Sequence, residues 1–394
     1  MTTTPSINAE RLLTDLAYLG QIGAGADGSI YRVAGSTADL AGRDWIDKTM
    51  RVAGLHTYRD ETGNVFSRQQ GSQGPWLLIG SHADTVPGGG YLDGAYGVIA
   101  AMEVLRTLHE AGHPAAAHLE TVAFWDEEGV TPQSNGGLVG STALSNHPHI
   151  QDVHGYLELH VEQGPRMERA GLDLSAVTGI VGVRRFLVQV RGQENHAGTT
   201  PFALRADAGR VATRFSAALR DICQQVDEAS IGNIGSIALE PDAPNVVPGA
   251  AKVQVEIRAG SEKSLDAIED VLRETLQTIA TEEQCTAQMQ TTSAKPVADF
   301  DSRLVDAVEE VCLHRSNKAE RMLSYAGHDA SVMSTRVPTA MIFVPSTGGY
   351  SHSNLEHTPD EQLVLGTQAL LESVVAVSSI MLTQDVDSRH SLAA

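Results

Sequence analysis

Four short apolar runs in this chain each end in polar residues that can bind a ligand, and this repeated plan constrains the fold most. Each run has the length of a buried strand. Strands that alternate with helices indicate an α/β sheet, in which ligands bind beyond the carboxyl ends of the strands. The runs are Trp76–Ile79 before Gly80-Ser81-His82-Ala83-Asp84, Thr121–Trp125 before Asp126-Glu127-Glu128-Gly129, Tyr156–Leu159 before His160, and Met341–Val344 before Pro345 and Gly348-Gly349-Tyr350-Ser351-His352.

The flanking parts of the chain, residues 1–182 and 296–394, are predicted to form one mixed-sheet α/β domain with helices on both faces. Two helices are predicted there, each with an apolar stripe and a glycine at its carboxyl end. They cover residues 38–54, which end at Gly54, and residues 97–112, which end at Gly112.

The middle of the chain, residues 183–295, follows a different plan and is predicted to be an inserted domain. Two strand-like segments alternate in polarity, at Phe186, Val188 and Val190 and again at Val253, Val255 and Ile257. Residues 202–226 and 262–280 look helical, and polar residues from Gln288 to Asp301 are expected to carry the return crossing. The order strand, helix, strand, strand, helix, strand predicts a ferredoxin-like α+β fold.

Composition excludes some classes of partner and favours one compartment. The 394 residues include 28 Lys and Arg against 49 Asp and Glu, so the formal net charge is −21. No net positive field exists to attract nucleic acid or an anionic membrane. The widely spaced Cys223, Cys285 and Cys312 form no disulfide framework, and neither a signal peptide nor a run of about 18 apolar residues is evident. A cytoplasmic protein is expected.

Six residues at the predicted strand ends have the chemistry of a metal site, which needs several His and carboxylate ligands from separate elements. Each of them alone has an ordinary explanation, such as a turn residue, a solvated acid or a hydrogen-bonded core histidine. Together they are expected at one edge of one sheet, and unrelated surface residues would have no reason to gather there. They are His82, Asp93, Glu127, Glu128, His160 and His352.

The motifs around these residues resemble those of the N-carbamoyl-L-amino acid hydrolase and allantoate amidohydrolase family, within the wider dinuclear zinc peptidase and aminoacylase clan. The resemblance runs from about residue 9 to residue 380, and two of the motifs, Glu158–Pro165 and Asn195–Pro201, are specific to the amidase branch. The motifs are Gly80–Val86 with Tyr91–Gly94, Asp126–Gly129, Glu158–Pro165, Asn195–Pro201 and Gly349–Ser353.

The resemblance implies two divalent metal ions, either zinc or manganese, cobalt or nickel, bridged by the two oxygens of Asp93. His82 and His160 would complete the ligand shell of one ion, and Glu128 and His352 that of the other. Glu127 would bind no metal, but would take a proton from the bridging water and return it to the leaving nitrogen. Two further residues would support the ligands, Asp84 through the other ring N–H of His82, and His328.

The same resemblance assigns substrate-binding roles, mostly in the insert, which would act as a lid and dimerisation domain. His196 would stabilise the oxyanion on the scissile carbonyl. Asn245 and Arg258 would bind the substrate carboxylate, partly in the site of a second subunit, so a homodimer is implied. Gln163 would hydrogen-bond the ureido group.

The resemblance implies hydrolysis of the ureido C–N bond of an N-carbamoyl-L-amino acid. Allantoate amidohydrolases of the family carry a glutamine in the stretch where this chain has Gly182-Val183-Arg184-Arg185, and Val183 cannot hydrogen-bond a second ureido group. Other possibilities are an allantoate, ureidoglycolate or N-acyl amino acid amidohydrolase, a dinuclear dipeptidase, and a catalytically inactive binding homologue.

Overall fold

The computed structural model describes the backbone of residues 4–134 and 136–391, and the side chains of these residues up to 380. The chain divides into two compact units, one made of Met1–Gly179 with Asp299–Ala394 and the other of Ile180–Ala298. The predicted boundaries at 182/183 and 295/296 lie within three residues of these divisions.

The first unit is built on a mixed sheet whose central strands are parallel. Its helices are α1 (Ala9–Leu19), α2 (Thr37–Val52), α3 (Ala95–Glu110), α4 (Val139–Asn146), α5 (Arg166–Ala170), α8 (Ser302–Arg315), α9 (Ala330–Met333) and α10 (Asp360–Ser391). Its strands are β1 (His56–Arg59), β2 (Val65–Arg68), β3 (Trp76–His82), β4 (Leu119–Phe124), β5 (Val153–Val161), β6 (Leu174–Ile180), β13 (Ala298–Asp299), β14 (Ala319–Ser324) and β15 (Thr339–Val344). The strand order is β1-β2-β4-β3-β5-β15-β6-β13, and β14 pairs with β6.

Four central strands run in the same direction, because β3 is parallel to β4 and to β5, and β5 is parallel to β15. All residues of β3, β4 and β15 are buried, as expected for strands covered on both faces. The carboxyl ends of these strands therefore meet at one edge, and the predicted α/β class is confirmed.

The second unit contains an antiparallel sheet of order β12-β7-β11-β9. Its elements are β7 (Gly182–Arg191), β8 (Asn195–His196), α6 (Ala208–Val226), β9 (Ile231–Glu240), β10 (Val246–Val247), β11 (Ala250–Ala259), α7 (Glu262–Glu282) and β12 (Thr286–Lys295). Helices α6 and α7 cover one face of this sheet, and alternate residues of the strands, such as Phe186, Val188 and Val253, form a shared apolar core with them.

Two sequence predictions within the second unit are wrong in detail. Helix α6 begins at Ala208 and not at residue 202, because Asp207 caps it by accepting the N–H groups of Gly209 and Arg210. Most of the polar stretch predicted as a crossing is the strand β12, which pairs with β7 along its whole length. Only alternate residues of β12 face the core, so its apolar signal is weak.

Helix α10 is apolar over Asp360–Ile380, with a mean hydropathy of 1.6, so by length and composition this stretch could cross a membrane. More than half of it, 56%, is buried within the protein, and it packs against α3, α8 and β5. Burial of this kind is typical of a core helix, and the same stretch includes the buried residues Leu363, Leu370 and Val374.

Candidate metal centre

The predicted ligands lie at the carboxyl edge of the central strands of the first unit. His82 is the last residue of β3, and His160 is the second-last residue of β5. Glu127 and Glu128 follow the end of β4, and His352 lies in the loop after β15. The parallel direction of these strands brings together residues that are up to 270 positions apart in the sequence.

His82, Asp93 and His160 form the first donor set, and all three are buried. The Nε2 atoms of His82 and His160 lie 3.7 and 3.3 Å from Oδ1 of Asp93. Ligands at ~2.1 Å from a tetrahedral ion are about 3.4 Å apart, so these separations fit a metal ion.

Asp93, Glu128 and His352 form the second donor set. Nε2 of His352 lies 3.1 Å from Oδ2 of Asp93 and 3.5 Å from Oε2 of Glu128. Asp93 therefore offers one oxygen to each set, as a carboxylate between two ions must. His352 is 49% exposed, whereas the histidines of the first set are buried, so the second set is the more accessible one.

Burial and mutual repulsion make the acids of this centre suited to binding cations. Burial raises the pKa of Glu127 well above its usual range, and the neighbouring acids Asp329 and Glu128 add to this effect, whereas His82 opposes it. Burial and the charge of Asp93 raise the pKa of Glu128 to about 7. Divalent cations would remove both penalties, so the donor set fits metal ions on chemical grounds.

Hydrogen bonds fix the two buried histidines with Nε2 towards Asp93. Nδ1 of His82 lies 3.1 Å from the backbone carbonyl of Asp84, and Nδ1 of His160 lies 2.8 Å from the carbonyl of Val161. Each Nδ1–H can therefore donate to a carbonyl, which leaves Nε2 of each ring directed towards Asp93. Burial lowers the pKa of His160 to about 4, which keeps its ring neutral and available as a ligand.

The carboxylate of Asp84 contacts the acidic pair, and it is the backbone carbonyl of Asp84, not the predicted carboxylate, that faces the ring N–H of His82. Its carboxylate oxygens accept the backbone N–H groups of Glu127 (3.3 Å) and Glu128 (3.2 Å), whereas its Oδ1 is 3.7 Å from Nδ1 of His82. The buried guanidinium of Arg43 lies 3.9 Å from the same carboxylate and donates to the last carbonyls of β4. No motif or spacing in the sequence indicates this role of Arg43.

Gln163 and His328 also contact the centre. The Gln163 amide group donates to Oδ2 of Asp93 at 2.8 Å and to Oγ of Ser351 at 3.1 Å, while its buried Oε1 has no hydrogen-bond partner among the described residues. The buried His328 ring lies 4.5 Å from the His160 ring, centroid to centroid, and its Nε2 is 2.9 Å from the Ser324 hydroxyl.

Glu356 is a buried acid at the centre that was not predicted from the sequence. Its Oε1 accepts the backbone N–H groups of Leu92 (2.8 Å) and Asp93 (2.9 Å), and its Oε2 accepts the Ser351 hydroxyl at 3.1 Å. It thus ties the loop of Asp93 to the loop of His352. Its only signal in the sequence is its position four residues after His352, in a loop whose polarity suggests exposure.

His196, Asn245 and Arg258 lie in the second unit. His196 and Asn245 are both exposed and adjacent, because β8 pairs with β10 and the Ala197 N–H donates to the Asn245 carbonyl at 3.0 Å. Arg258 lies on β11, where its Nε donates to Glu256 at 2.8 Å. Through β11 and β7, Arg258 is paired with Val183.

Comparisons with known proteins show the family of the chain. A family model described as peptidase family M20/M25/M40 matches residues 78–376. The chain is similar to the allantoate amidohydrolase of Bacillus subtilis, with 32% identity over 93% of this chain and 97% of that protein. It is also similar to the N-carbamoyl-L-amino-acid amidohydrolase of a Pseudomonas species, with 28% identity over 94% of this chain and 99% of that protein.

Among solved structures, the chain is similar to a hydantoinase/carbamoylase family amidase from Burkholderia ambifaria. The TM-score is 0.88 and the identity 31%, over 95% of this chain and 98% of that one. The similarity therefore covers both units of the chain and not the metal centre alone.

Proposed function

Because this chain belongs to peptidase family M20/M25/M40, we propose that it is a metal-dependent hydrolase of the carbamoyl (ureido) C–N bond of an N-carbamoyl-L-amino acid or a similar small ureido carboxylate. The family membership confirms the resemblance seen in the motifs. One observation carries the proposal: two donor sets share Asp93 at the same edge where Glu127 lies beside His82, with 3.8 Å between Nε2 and Oε2.

In the proposed reaction, the residues of the two sets would hold two divalent ions, which would supply a water of lowered pKa and polarise the scissile carbonyl. Zinc, manganese, cobalt or nickel would suit the His and carboxylate donors. Glu127, which belongs to neither donor set, accepts the proton of that water and returns it to the leaving nitrogen. The products are the amino acid, carbon dioxide and ammonia.

Substrate binding is proposed to use both units. The unpartnered Oε1 of Gln163 accepts an N–H of the ureido group. His196 donates a hydrogen bond to the carbonyl oxygen as charge develops there, and Asn245 and Arg258 bind the carboxylate. The second unit, residues 183–295 in the predicted bounds, is thereby proposed to act as a lid.

We also propose a homodimer formed through the second unit. Within the described residues, β9 pairs with β11 alone and leaves its other edge open. Two of its isoleucines, Ile231 and Ile237, are each 42% exposed, which is unusual for an edge strand that remains in water. In such a dimer, the residues of the lid would partly serve the site of the partner.

A cytoplasmic protein is proposed because all three cysteines are free.

An allantoate amidohydrolase is the second candidate, since the Bacillus subtilis relative has that name. Against it stands Val183, which pairs with Arg258 and offers no side-chain hydrogen bond to a second ureido group. A monocarbamoyl substrate is therefore preferred.

A substrate panel tests the proposal. The metal-stripped enzyme is reconstituted separately with zinc, manganese, cobalt and nickel and given N-carbamoyl-L-amino acids, allantoate, ureidoglycolate, N-acetyl amino acids and dipeptides, with released ammonia or amino acid as the readout. We expect N-carbamoyl-L-amino acids to give the highest kcat/KM. Higher kcat/KM for allantoate, acyl substrates or dipeptides would contradict the proposal, and so would no activity with any metal.

A further inference from the structure

The loop that carries His196 folds back onto the imidazole ring of that residue. The backbone N–H groups of Gly198 and Thr199 both donate to Nδ1 of His196, at 3.0 and 3.2 Å. The carbonyl of His196 accepts the backbone N–H of Thr200 at 3.1 Å and the hydroxyl of the same residue at 2.7 Å. An exposed histidine is thus held by hydrogen bonds to its ring and to its backbone.

These contacts determine which ring nitrogen of His196 carries the proton. A nitrogen that accepts two N–H groups presents its lone pair to them, so Nδ1 cannot itself be an N–H. In the neutral imidazole the proton then lies on Nε2. The hydrogen-bond donor that the proposed reaction requires of His196 is therefore its Nε2–H group.

Arg205 braces this turn through two backbone carbonyls. Its Nη2 donates to the carbonyl of Ala197 at 2.6 Å, and its Nε donates to the carbonyl of Thr200 at 3.0 Å. Its Cζ lies 4.5 Å from the ring centroid of Phe202, so an aromatic face also fixes the plane of the guanidinium. The two carbonyls flank residues 198 and 199, whose N–H groups reach the ring of His196. A planar fork matches two acceptors at a fixed spacing better than a single ammonium would.

We infer that Arg205 is a positioning residue, which holds the turn of residues 196–200 in the form that keeps His196 as the Nε2–H tautomer. Arg205 acts on catalysis through His196 alone. The inference rests on the proposed function for the use of the Nε2–H group, whereas the tautomer is a property of the second unit, in which all of these residues lie.

Nitrogen NMR tests the tautomer in the metal-loaded full-length enzyme, isotopically labelled at the histidine ring nitrogens. His196→Asn identifies the signals of His196 by their loss. We expect the wild-type ring to carry its proton on Nε2, and a proton on Nδ1 would overturn the inference. Arg205→Met should convert the ring to a mixture of both tautomers, and an unchanged ring in this variant would exclude the positioning role of Arg205.

Kinetics on an N-carbamoyl-L-amino acid test the consequence for turnover. We expect Arg205→Met to lower kcat by about 10-fold or more and to leave KM within about twofold, because a displaced oxyanion donor weakens binding of the transition state and not of the substrate. Arg205→Lys keeps a donor for one carbonyl and should recover part of kcat. The matched control is Arg220→Met, an exposed arginine on α6 of the same unit, which should keep the wild-type kcat and tautomer. Metal content and thermal midpoint are measured for every variant.

A double-mutant cycle separates positioning from a general effect on the fold. In His196→Asn, the carbonyl oxygen of the asparagine can accept the same two N–H groups, but no donor remains at the place of Nε2. We expect this variant to lower kcat by about 10²- to 10³-fold, the usual cost of losing one oxyanion donor. In that background Arg205→Met should cause no further loss of kcat. Fully additive losses would contradict the inference, since Arg205 would then act by a route other than His196.

Failure of the inference differs from failure of the proposed function. If the wild type hydrolyses no ureido compound, the proposed function fails, while NMR still decides the tautomer and the role of Arg205 in keeping it. If the wild type is active and Arg205→Met has a normal kcat, the inference alone is overturned.

Discussion

Asp93 is the residue on which the centre depends, since each of its oxygens belongs to a different donor set. Burial alone would raise its pKa, but hydrogen bonds from His352 and His82 hold the pKa well below the usual range of an aspartic acid. The carboxylate is therefore charged throughout the neutral pH range. Because hydrogen bonds from histidines already keep Asp93 ionised, its carboxylate can bind metal ions without first losing a proton.

The proton-transfer role of Glu127 predicts a variant that binds metal but does not turn over substrate. Glu127→Gln preserves the side-chain volume and lies outside both donor sets. We expect kcat to fall by about 10²- to 10⁴-fold, the usual contribution of a general base, with two metal ions per chain retained. Metal analysis and steady-state kinetics on one preparation check this, and near-normal turnover would disprove the assignment.

Glu356 predicts a loss of metal affinity without any loss of a ligand. Glu356→Ala removes the acceptor that orders the backbone of Asp93 and its link to Ser351. We expect metal affinity to fall by about 10- to 100-fold, as for other groups that orient ligands. Glu356→Gln keeps one acceptor oxygen and should lose less.

Competition of these variants with a fluorescent chelator measures the affinity. Glu361→Gln, which changes an exposed acid at the start of α10, is the control. Equal affinities in Glu356→Ala and wild type would show that Glu356 does not position the site.

The donor residues could be predicted because strand ends in a parallel sheet converge, and a sequence can show where buried strands end. Glu356 and Arg43 could not, because their roles depend on long-range contacts. Glu356 reaches the N–H groups of residues 92 and 93, more than 260 positions away, and Arg43 reaches the end of β4 from helix α2. A polar loop and a charged helix residue look solvent-exposed in a sequence.

At the scale of elements, the start of α3 determines how closely the backbone approaches the first donor set. Gly94 is the N-cap, with φ of 62°, and its N–H lies 3.0 Å from Nε2 of His160. A Cβ at this position would lie 2.3 Å from Nε2 of His82. Only glycine fits there without displacing a proposed metal ligand.

Gly94→Ala is therefore expected to abolish metal binding by the first set and to lower the thermal midpoint. Gly112→Ala is the matched control at the other end of the same helix, since Gly112 also has positive φ, at 60°, but a Cβ there has no neighbour within 4 Å. The control should lose only about 1–2 kcal/mol of stability and no activity. Calorimetry and metal stoichiometry distinguish the two, and equal behaviour would contradict the steric argument.

Elements with one strong apolar stripe were predicted well, and polar edge elements were not. Helix α3 lies two residues from its predicted bounds, 97–112, since its apolar residues and closing glycine are both in the sequence. A last strand was predicted in the order of elements, but the residues of β12 were assigned to the return crossing, because an edge strand buries only every second residue and the rest of its sequence is polar. The start of α6 was misplaced because Asp207 competes as a cap within an otherwise helical pattern.

At the scale of the whole molecule, the centre links stability to pH. Burial raises the pKa values of Glu128, Glu158 and Glu356 to about 7 and that of Asp329 to about 8. A hydrogen bond to Asp93 raises that of His352 to about 9. Between pH 6.5 and 8 the folded chain holds protons on these groups that the unfolded chain has released, so stability must fall as pH rises.

The metal-stripped enzyme should thus lose stability from pH 6.5 to pH 8, by about 1.4 kcal/mol per pH unit for each proton held by a buried acid, and by less for the half-exposed His352, whose charge is screened by solvent. The buried His160, with a pKa lowered to about 4, acts in the opposite sense only below the unfolded value of 6.5. Metal-loaded enzyme should lose much less, because cations stabilise the ionised acids. Thermal midpoints across this range, with and without chelator, measure the difference, and a midpoint of the stripped enzyme that rises with pH would refute the argument.

The two donor sets also differ in when the growing polypeptide can complete them. His82, Asp93 and His160 are all present once the first 160 residues have been synthesised, whereas the other set also needs His352, which follows the whole inserted unit. During synthesis, all three ligands of one metal site are therefore present long before the ligands of the second site are complete. Premature termination after residue 160 but before residue 352 would remove His352 and leave a protein limited to the first of them.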